Sequence, residues 1–388
     1  MRSLVYVTFP RFYGVAVFLD RQPILSESLH SELHSLLLNK SLVFFFPLQD
    51  RIAILIAFNF RVQSIYLTPN GLGREMRSDT PAISVVVSTC NREKYLDGAL
   101  RSVVGQSLRR DKFEVIVIDS SSTDHARTLC EHYEEIIYIY EPRAGLSRAR
   151  NIGWRSARGE FVAYLDDDAV ASNNWLELIL KAFSLGSSCV GGRVLPLWET
   201  DRPVWLPDSL LWFLSILDWN KPRHVLNERE YLTGANIAFR RDVLEMVGGF
   251  REDLGRAYVS GSRLLGGEEI DVQDKLASRG QERVYDPDIV VSHVILAQRL
   301  RKDWFVKRSF WQGVSDALSE DHPSLSVQAT KTLQASAGMT LRTFTKFFPG
   351  LLSFKAQTRL KAMCDQAARI GYVYGMCSGH NSIFRRRL

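Results

Sequence analysis

The sequence is poor in cysteine, with five cysteines in 388 residues and no Cys-x-x-Cys pair. The five are odd in number and widely scattered, at positions 90, 130, 189, 364 and 377. Such spacing argues against a disulfide framework and against a zinc site. It is typical of a protein kept in a reducing cytoplasm, where we expect this chain to reside.

Long uncharged apolar runs are also lacking. The nearest candidate, residues 42–60, is interrupted by Pro47, Gln49, Asp50 and Arg51, which leaves it too short to span a bilayer. The first residues lack a basic region followed by a continuous apolar run and a cleavage site, so we expect no signal peptide. The sequence predicts a cytoplasmic protein, with peripheral contact at the inner face of the membrane as an open alternative.

Two nucleotide-binding signatures are missing as well. No G-x-G-x-x-G follows the first predicted strand, which argues against a Rossmann dinucleotide site, and no G-x-x-x-x-G-K-[ST] marks a P-loop. The net charge of +6 is accompanied by basic clusters at residues 299–302, 307–308 and 385–387. Because no zinc-finger, RNP or helix-turn-helix pattern accompanies them, we expect no nucleic-acid partner. An anionic membrane surface or a phosphate-bearing substrate explains the charge better.

From residue 83 onward, the sequence alternates between short apolar strands and amphipathic helices. The predicted strands cover residues 83–89, 113–118, 136–140 and 161–165. Strands separated by helices are typical of βαβ units with right-handed crossovers. The predicted fold is therefore α/β, a mostly parallel open sheet flanked by helices. We expect Asn91 to cap the helix that follows the first strand.

The two ends of the chain follow other patterns. Residues 1–78 contain several strand-like runs and one helix-like segment, residues 31–38, before a turn or linker at residues 68–73. We expect three parts. These are a small N-terminal α+β module of unknown role at residues 1–78, a central domain at 79–300 and a helical C-terminal extension at 301–388.

Polar side chains follow the predicted strands at the point where each strand ends. Thr89 and Asn91 follow the first strand, Asp119 follows the second, and three aspartates, Asp166–Asp168, follow the fourth. This edge is where open α/β sheets bind ligands. Crowded carboxylates repel one another unless a cation compensates, so a divalent cation holding a phosphorylated ligand fits the pattern. The alternative is a solvated acidic turn that caps the next helix.

A second polar cluster lies further along the chain. Gly234 belongs to a small-residue turn that lets the backbone approach a ligand. Glu268 and Glu269 stand at the predicted start of a helix, where the helix dipole favours the ionised form that a general base needs. Simple charge pairing at a helix start is the alternative. His293 ends another predicted strand, and a lone histidine is more often structural than a ligand.

Taken in order, these pieces resemble the family-2 glycosyltransferases, enzymes with a GT-A fold that use nucleotide-diphospho-sugars. The resemblance covers about residues 82–295 and rests on segments 84–92, 117–124, 145–151, 166–168, 234–236 and 267–269. It implies a GT-A domain that transfers a sugar to an acceptor hydroxyl with inversion of configuration. The implied cofactor is Mg²⁺ or Mn²⁺, and the favoured donor is a UDP-sugar.

The resemblance also implies roles for single residues. The residues expected to bind the nucleotide-sugar, with Asp119 at the base, are Thr89, Asn91, Arg92, Asp119, Arg150, Asp166 and Asp167. The expected metal ligands are Asp168 and His293. Glu269 stands where the family has a catalytic aspartate, so either Glu269 or its neighbour Glu268 is expected to be the base.

Two other functions share parts of this pattern. A sugar-nucleotide pyrophosphorylase has a similar sheet but needs a Gly-rich basic loop after the first strand, where this chain has residues 90–93. A non-catalytic sugar-nucleotide-binding module would not need both carboxylate clusters. Aromatic stretches at residues 203–219, 302–310 and 344–352 fit an acceptor site, a peripheral membrane contact or packed core helices.

Overall fold

The computed structural model describes residues 80–133, 135–255, 264–320 and 325–378, together with six short strands nearer the N-terminus. The chain divides into two compact units, residues Met1–Asp79 and Thr80–Leu388. In the first unit β1 pairs with β2, and β3 to β6 form a four-stranded antiparallel sheet. Its strands are β1 Leu4–Val5, β2 Val17–Phe18, β3 Leu42–Leu48, β4 Arg51–Phe58, β5 Arg61–Thr68 and β6 Gly71–Gly73.

The turn expected at residues 68–73 is shorter than predicted. Thr68 is the last residue of β5, and Gly71–Gly73 pair back against that strand as β6. The two residues between these strands, 69 and 70, lie outside the described residues. The helix expected at residues 31–38 lies outside the described residues.

A nine-stranded sheet forms the centre of the second unit, in the order β11-β15-β12-β14-β10-β7-β8-β9, with β13 paired to β15. The strands β10, β7, β8 and β9 are parallel, as the βαβ pattern predicts. Beyond β10, β14 runs antiparallel to both its neighbours. The strands are β7 Ile83–Thr89, β8 Phe113–Asp119, β9 Ile136–Tyr140, β10 Phe161–Asp166, β11 Ala169–Ala171, β12 Cys189–Trp198, β13 His224–Val225, β14 Asn236–Arg240 and β15 Arg283–Ile295.

Helices cover both faces of this sheet. They are α1 Glu93–Val104, α2 His125–Glu131, α3 Leu146–Ser156, α4 Trp175–Ser184, α5 Arg241–Val247 and α6 Glu268–Ala277. One apolar layer lies between the sheet and α1, α2 and α4, and a second lies between the sheet and α3, α5 and α6. In α1 the apolar residues recur at helical spacing, and Leu96, Ala99, Leu100 and Val103 are all buried. The predicted α/β fold is confirmed.

Asn91 does not cap α1, contrary to the prediction. Arg92 holds the N-cap position without a side-chain capping bond, and Asn91 adopts a left-handed conformation at φ 53°. Its Oδ1 instead accepts a hydrogen bond from the backbone N–H of Ser122 at 3.0 Å. Asn91 therefore joins the loop after β7 to the loop after β8.

The C-terminal region is helical, as expected. It consists of α7 Lys302–Ser319, α8 Leu325–Arg342, a π-helical turn Thr343–Phe347, α9 Phe348–Leu351 and α10 Ala356–Ser378. Helices α7 and α10 approach closely because glycines face the partner backbone: a Cβ on Gly313 would lie 1.8 Å from the Ala368 carbonyl oxygen. Among the described residues, no helix combines the length and apolar character needed to cross a membrane.

Candidate active site

The three aspartates lie where the sheet changes partners. Asp166 ends β10, in register with Ser88 of β7, and Asp167 and Asp168 form the turn into β11. Strand β11 pairs antiparallel with β15, so that Ala169 lies opposite His293. This register brings His293 Nε2 within 3.0 Å of Asp168 Oδ1, although 125 residues separate them in sequence.

Asp167 and Asp168 are buried and lie in a strongly basic environment. Arg92 donates from Nη1 to Asp167 at 2.8 Å and from Nη2 to Asp168 at 2.5 Å, and Thr89 donates to Asp167 at 2.8 Å. Burial opposes ionisation of Asp168, but His293, Arg92 and Arg299 hold its pKa well below the usual range. Burial raises the pKa of Asp167, and Asp168 adds to this, against the opposing effect of Arg92.

Asp166, Asp168 and His293 form a set of side chains that suits a divalent cation. One ligand atom from each of them lies within 4.8 Å of the other two. The Leu214 carbonyl oxygen lies 3.1 Å from His293 Nδ1 and can accept a hydrogen bond from an Nδ1–H, which leaves Nε2 to face Asp168. A backbone carbonyl on one ring nitrogen is the usual support for a histidine that binds metal through the other. The donor set, two carboxylates and one imidazole, therefore fits Mg²⁺ or Mn²⁺.

Arg150 links the aspartates to the second carboxylate cluster. Its side chain is 3% exposed, and the guanidinium donates to Glu268 Oε1 at 2.7 Å and to Asp166 Oδ1 at 3.3 Å. Burial works against the charged form, but Glu268 and Asp166 hold the pKa of Arg150 above its usual range. Gly234 makes this position accessible, because a Cβ there would lie 2.3 Å from Arg150 Nη2. The small-residue turn, which is predicted to let the backbone approach a ligand, thus leaves room for the Arg150 side chain.

The two neighbouring glutamates differ in their surroundings. Both stand in the first turn of α6, after Gly267 at φ 95°. Glu268 is buried and paired with Arg150. Both glutamates line the cavity, and Glu269 Oε2 is buried without a hydrogen-bond partner among the described residues. The pair therefore differs in its contact with Arg150, which hydrogen-bonds Glu268 Oε1, and the choice of base between the two stays a prediction.

Asp119 is placed differently from the other expected site residues. It is fully buried, with Oδ1 accepting from the Ser121 N–H at 2.8 Å and Oδ2 from the Tyr138 hydroxyl at 2.7 Å. Asp119, Thr89 and Asn91 are not among the described residues that line the main cavity. Their contact with a nucleotide base stays a prediction.

Asn236, in the same segment as Gly234, has an internal role. It is fully buried, accepts from Trp175 Nε1 at 2.9 Å and donates to the carbonyls of Arg193 and Ile289 at 2.9 Å. These bonds tie β14 to β12 and β15 and to the start of α4. They hold the turn that contains Gly234 beside Arg150.

A single cavity of about 720 Å³ joins the two carboxylate clusters. Its lining includes Arg92, Asp166, Asp168 and His293 from the first cluster and Glu268 and Glu269 from the second. A further part of the lining, which we call the far wall, comes from the C-terminal helices and the 3-10 helix Asp208–Leu214. It includes Trp212, Phe213, Arg308, Gln312 and Lys361. The aromatic stretch at residues 203–219 therefore contributes both to this wall and to a packed core that contains Leu206 and Leu210.

The sequence predicts no role in this site for two of its arginines, Arg299 and Arg308. Arg299, in the short 3-10 helix Ala297–Arg299 after β15, lies 3.7 Å from Asp168. Arg308 of α7 lies over the ring of Phe213, 5.3 Å from its centroid, and faces the cavity. Both belong to the basic clusters at residues 299–302 and 307–308, but charge alone does not distinguish a buried arginine from a solvated one.

Comparison with solved structures shows the class of the fold. Over 76% of this chain and 88% of the other, the structure is similar to the mannosyltransferase PcManGT from Pyrobaculum calidifontis, solved in complex with GDP-Man and Mn²⁺. The TM-score is 0.50 and the sequence identity 21%, so the likeness concerns the fold. The fold is that of a GT-A glycosyltransferase.

Sequence comparison then shows the family. The model of glycosyl transferase family 2 matches residues 84–248. The glucosyl-dolichyl phosphate glucuronosyltransferase of Haloferax volcanii is 30% identical over 241 residues, which cover 60% of this chain and 75% of that protein. The succinoglycan biosynthesis protein ExoM of Rhizobium meliloti is 28% identical over 248 residues, 61% of this chain and 75% of that one. The chain belongs to glycosyl transferase family 2 and is a glycosyltransferase.

Proposed function

We propose that this glycosyltransferase moves a sugar from a nucleotide-diphospho-sugar to an acceptor hydroxyl in a single displacement with inversion of configuration. The observation that carries the proposal is one cavity lined both by a cation-binding set, Asp166, Asp168 and His293, and by the carboxylate of Glu269. Arg150 connects the two carboxylate clusters through its pairs with Asp166 and Glu268.

The donor diphosphate would lie at the aspartates. Asp166, Asp168 and His293 would hold Mg²⁺ or Mn²⁺, which supplies Lewis-acid stabilisation of a departing diphosphate. Arg92 and Arg299 lie beside Asp168 and supply positive charge on the same side of the cavity. The presence of GDP-Man and Mn²⁺ in PcManGT supports both the donor class and the cofactor. The sequence resemblance favours a UDP-sugar, whereas PcManGT was solved with GDP-Man, so the experiment below compares donors with different nucleotides.

Glu269 would act as the general base. As the acceptor oxygen attacks the anomeric carbon, its proton passes to a Glu269 carboxylate oxygen, and the bond from the anomeric carbon to the phosphate oxygen breaks. That bonding pair leaves with the nucleoside diphosphate, so one displacement inverts the anomeric centre. Glu268 is the weaker candidate, because a carboxylate held at 2.7 Å by a buried guanidinium is a poorer proton acceptor.

The acceptor would enter from the side of the C-terminal helices. There the cavity combines an aromatic surface, Trp212 and Phe213, with hydrogen-bonding groups from Arg308, Gln312 and Lys361. Apolar ring faces with polar neighbours are suited to a carbohydrate acceptor. The two relatives, a glucosyl-dolichyl phosphate glucuronosyltransferase and a succinoglycan biosynthesis protein, support a glycan or lipid-linked sugar as acceptor.

The test combines a donor panel with a metal-site variant. Wild-type protein is incubated with UDP-, GDP- or dTDP-sugars and Mn²⁺ or Mg²⁺, and the release of nucleoside diphosphate and of pyrophosphate is measured. We expect nucleoside diphosphate from one donor class and a thermal shift with that donor plus metal, because ligands stabilise the state they bind. Asp168→Asn should abolish both, whereas exposed Asp201→Asn should change neither. Pyrophosphate release would indicate a nucleotidyltransferase, and full activity in Asp168→Asn would refute the metal site.

A further inference from the structure

The turn between α8 and α10 presents an apolar surface to solvent. Six large apolar side chains, which we call the apolar tip, are exposed there by between 38% for Leu351 and 100% for Phe354. They are Leu341, Phe344, Phe348, Leu351, Leu352 and Phe354. A cluster of exposed aromatic and aliphatic side chains within 14 residues is unusual for a surface that faces only water, and it indicates a binding surface.

Hydrogen bonds hold this turn in place. Arg359 Nη1 donates to the carbonyl oxygens of Ser353 at 2.7 Å and Phe354 at 3.2 Å, and the Leu352 N–H donates to the Phe348 carbonyl at 3.1 Å. The Phe344 and Phe348 rings contact each other, with centroids 5.8 Å apart. The backbone that carries the exposed rings is therefore held by hydrogen bonds within the turn.

The charge around the apolar tip has one sign. Residues 325–364 contain six lysines and arginines and neither aspartate nor glutamate. Two of the six are neutralised from outside the segment, Lys331 by Glu320 and Lys361 by Asp365. Arg342, Lys346 and Lys355 are exposed beside the apolar side chains. The surface thus combines aromatic rings with a cationic rim, which is complementary to an anionic lipid headgroup layer over an apolar interior.

We propose that the apolar tip docks on an anionic phospholipid bilayer, with its phenylalanines at the headgroup boundary and its cations on the lipid phosphates. The contact is peripheral, made by a helical turn lying on the surface. A protein partner would need an acidic apolar groove to match, whereas a bilayer supplies negative charge and an apolar layer over any area. The contact does not depend on the proposed chemistry.

The position of the apolar tip relative to the cavity suggests what docking achieves. Helix α10 begins beside it and contributes Lys361 and Asp365 to the cavity wall. At its start, Gln357 donates to the Val204 carbonyl at 2.8 Å, and Val204 is itself 91% exposed. Docking would therefore hold the far side of the cavity near the bilayer, where a membrane-borne acceptor would be presented.

The test is flotation of the full chain with vesicles of phosphatidylcholine, alone or with about one third phosphatidylglycerol. We expect flotation with the anionic vesicles only, reduced by added salt. Two variants test the surface: the triple variant Phe344→Ser/Phe348→Ser/Phe354→Ser and the double variant Lys346→Glu/Lys355→Glu. Each should lower the bound fraction at least about tenfold, because the first loses apolar contact with the bilayer and the second loses attraction to the anionic headgroups. The matched control Leu185→Ser/Met246→Ser removes exposed apolar side chains elsewhere and should bind like wild type.

Circular dichroism and donor-driven nucleotide release check that the variants are folded. A wild-type protein that does not float with anionic vesicles would overturn the proposal, as would tip variants that float as well as wild type. Gel filtration distinguishes a second copy of the chain. If wild type is dimeric, the phenylalanine variant is monomeric and neither floats, the surface is a protein interface and the proposal is wrong.

Discussion

The ion pair between Arg150 and Glu268 offers a sharp test of how the site is held together. The Arg150 side chain is 3% exposed, the Glu268 side chain is 4% exposed, and the Arg150 guanidinium also lies 5.6 Å from the centroid of the Phe250 ring. Arg150→Met keeps much of the side-chain length but removes the charge. It leaves a buried carboxylate without its cation, beside a second carboxylate at Asp166.

Breaking one partner of a buried pair costs about 3–5 kcal/mol. Because Glu268 lines a cavity that water can enter, we expect the lower end, about 3 kcal/mol. The double variant Arg150→Met/Glu268→Gln removes the uncompensated charge and should recover most of that loss. Urea unfolding of wild type, both single variants and the double variant gives the coupling energy from a double-mutant cycle.

The control is Arg240→Met, which removes the same side chain from an exposed pair with Asp242 and should cost less than about 1 kcal/mol. A coupling energy below about 0.5 kcal/mol would contradict the reasoning, since additive effects of that size mean no interaction. Equal stability of the single and double variants would contradict it as well.

Two further predictions concern positions around this core. Gly234→Ala places a Cβ 2.3 Å from Arg150 Nη2, so thermal unfolding should show a loss of stability of about 1–3 kcal/mol. The control Gly98→Ala, whose new Cβ would have its nearest neighbour at 3.9 Å, should be neutral or stabilising. Equal effects of the two substitutions would refute the steric argument. Burial alone would raise the pKa of Glu114, but hydrogen bonds from Ser84 and Arg158 lower it. Its contribution to stability is therefore present above about pH 4.5 and lost as the pH falls through the folded pKa, so unfolding curves of wild type and Glu114→Gln should differ at pH 7 and converge in acid. A gap that is independent of pH would refute this.

The sequence predicts the strands well and the contacts between distant segments poorly. β7 and β9 have the predicted bounds, because β-branched and aromatic runs between polar turns leave little choice. The carboxylates at strand ends were identifiable for the same reason. The prediction that Asn91 caps a helix is wrong because an asparagine before a helix fits two roles, capping and a left-handed turn. Its hydrogen bond with Ser122, in another loop, favours the turn.

The arginines of the site illustrate a different limit. Arg150 and Arg92 reach their carboxylates across 118 and 76 residues of sequence, respectively. The sequence pattern around an arginine does not show where its long side chain points, so the same residues could equally face solvent or a nucleotide. Only the register of β11 against β15 and the packing of α3 under the sheet decide which carboxylates they meet.

The most direct test of the central claim is the turnover of Glu269→Gln, measured beside Glu268→Gln with the donor and metal that the wild-type enzyme uses. Glutamine keeps the shape of the side chain and removes its basicity, so a general base at Glu269 predicts a fall in kcat of about 10²–10⁴-fold. The donor KM should change little. A Glu269→Gln enzyme within a few-fold of wild type, or a larger loss of kcat in Glu268→Gln, would contradict the assignment of the base.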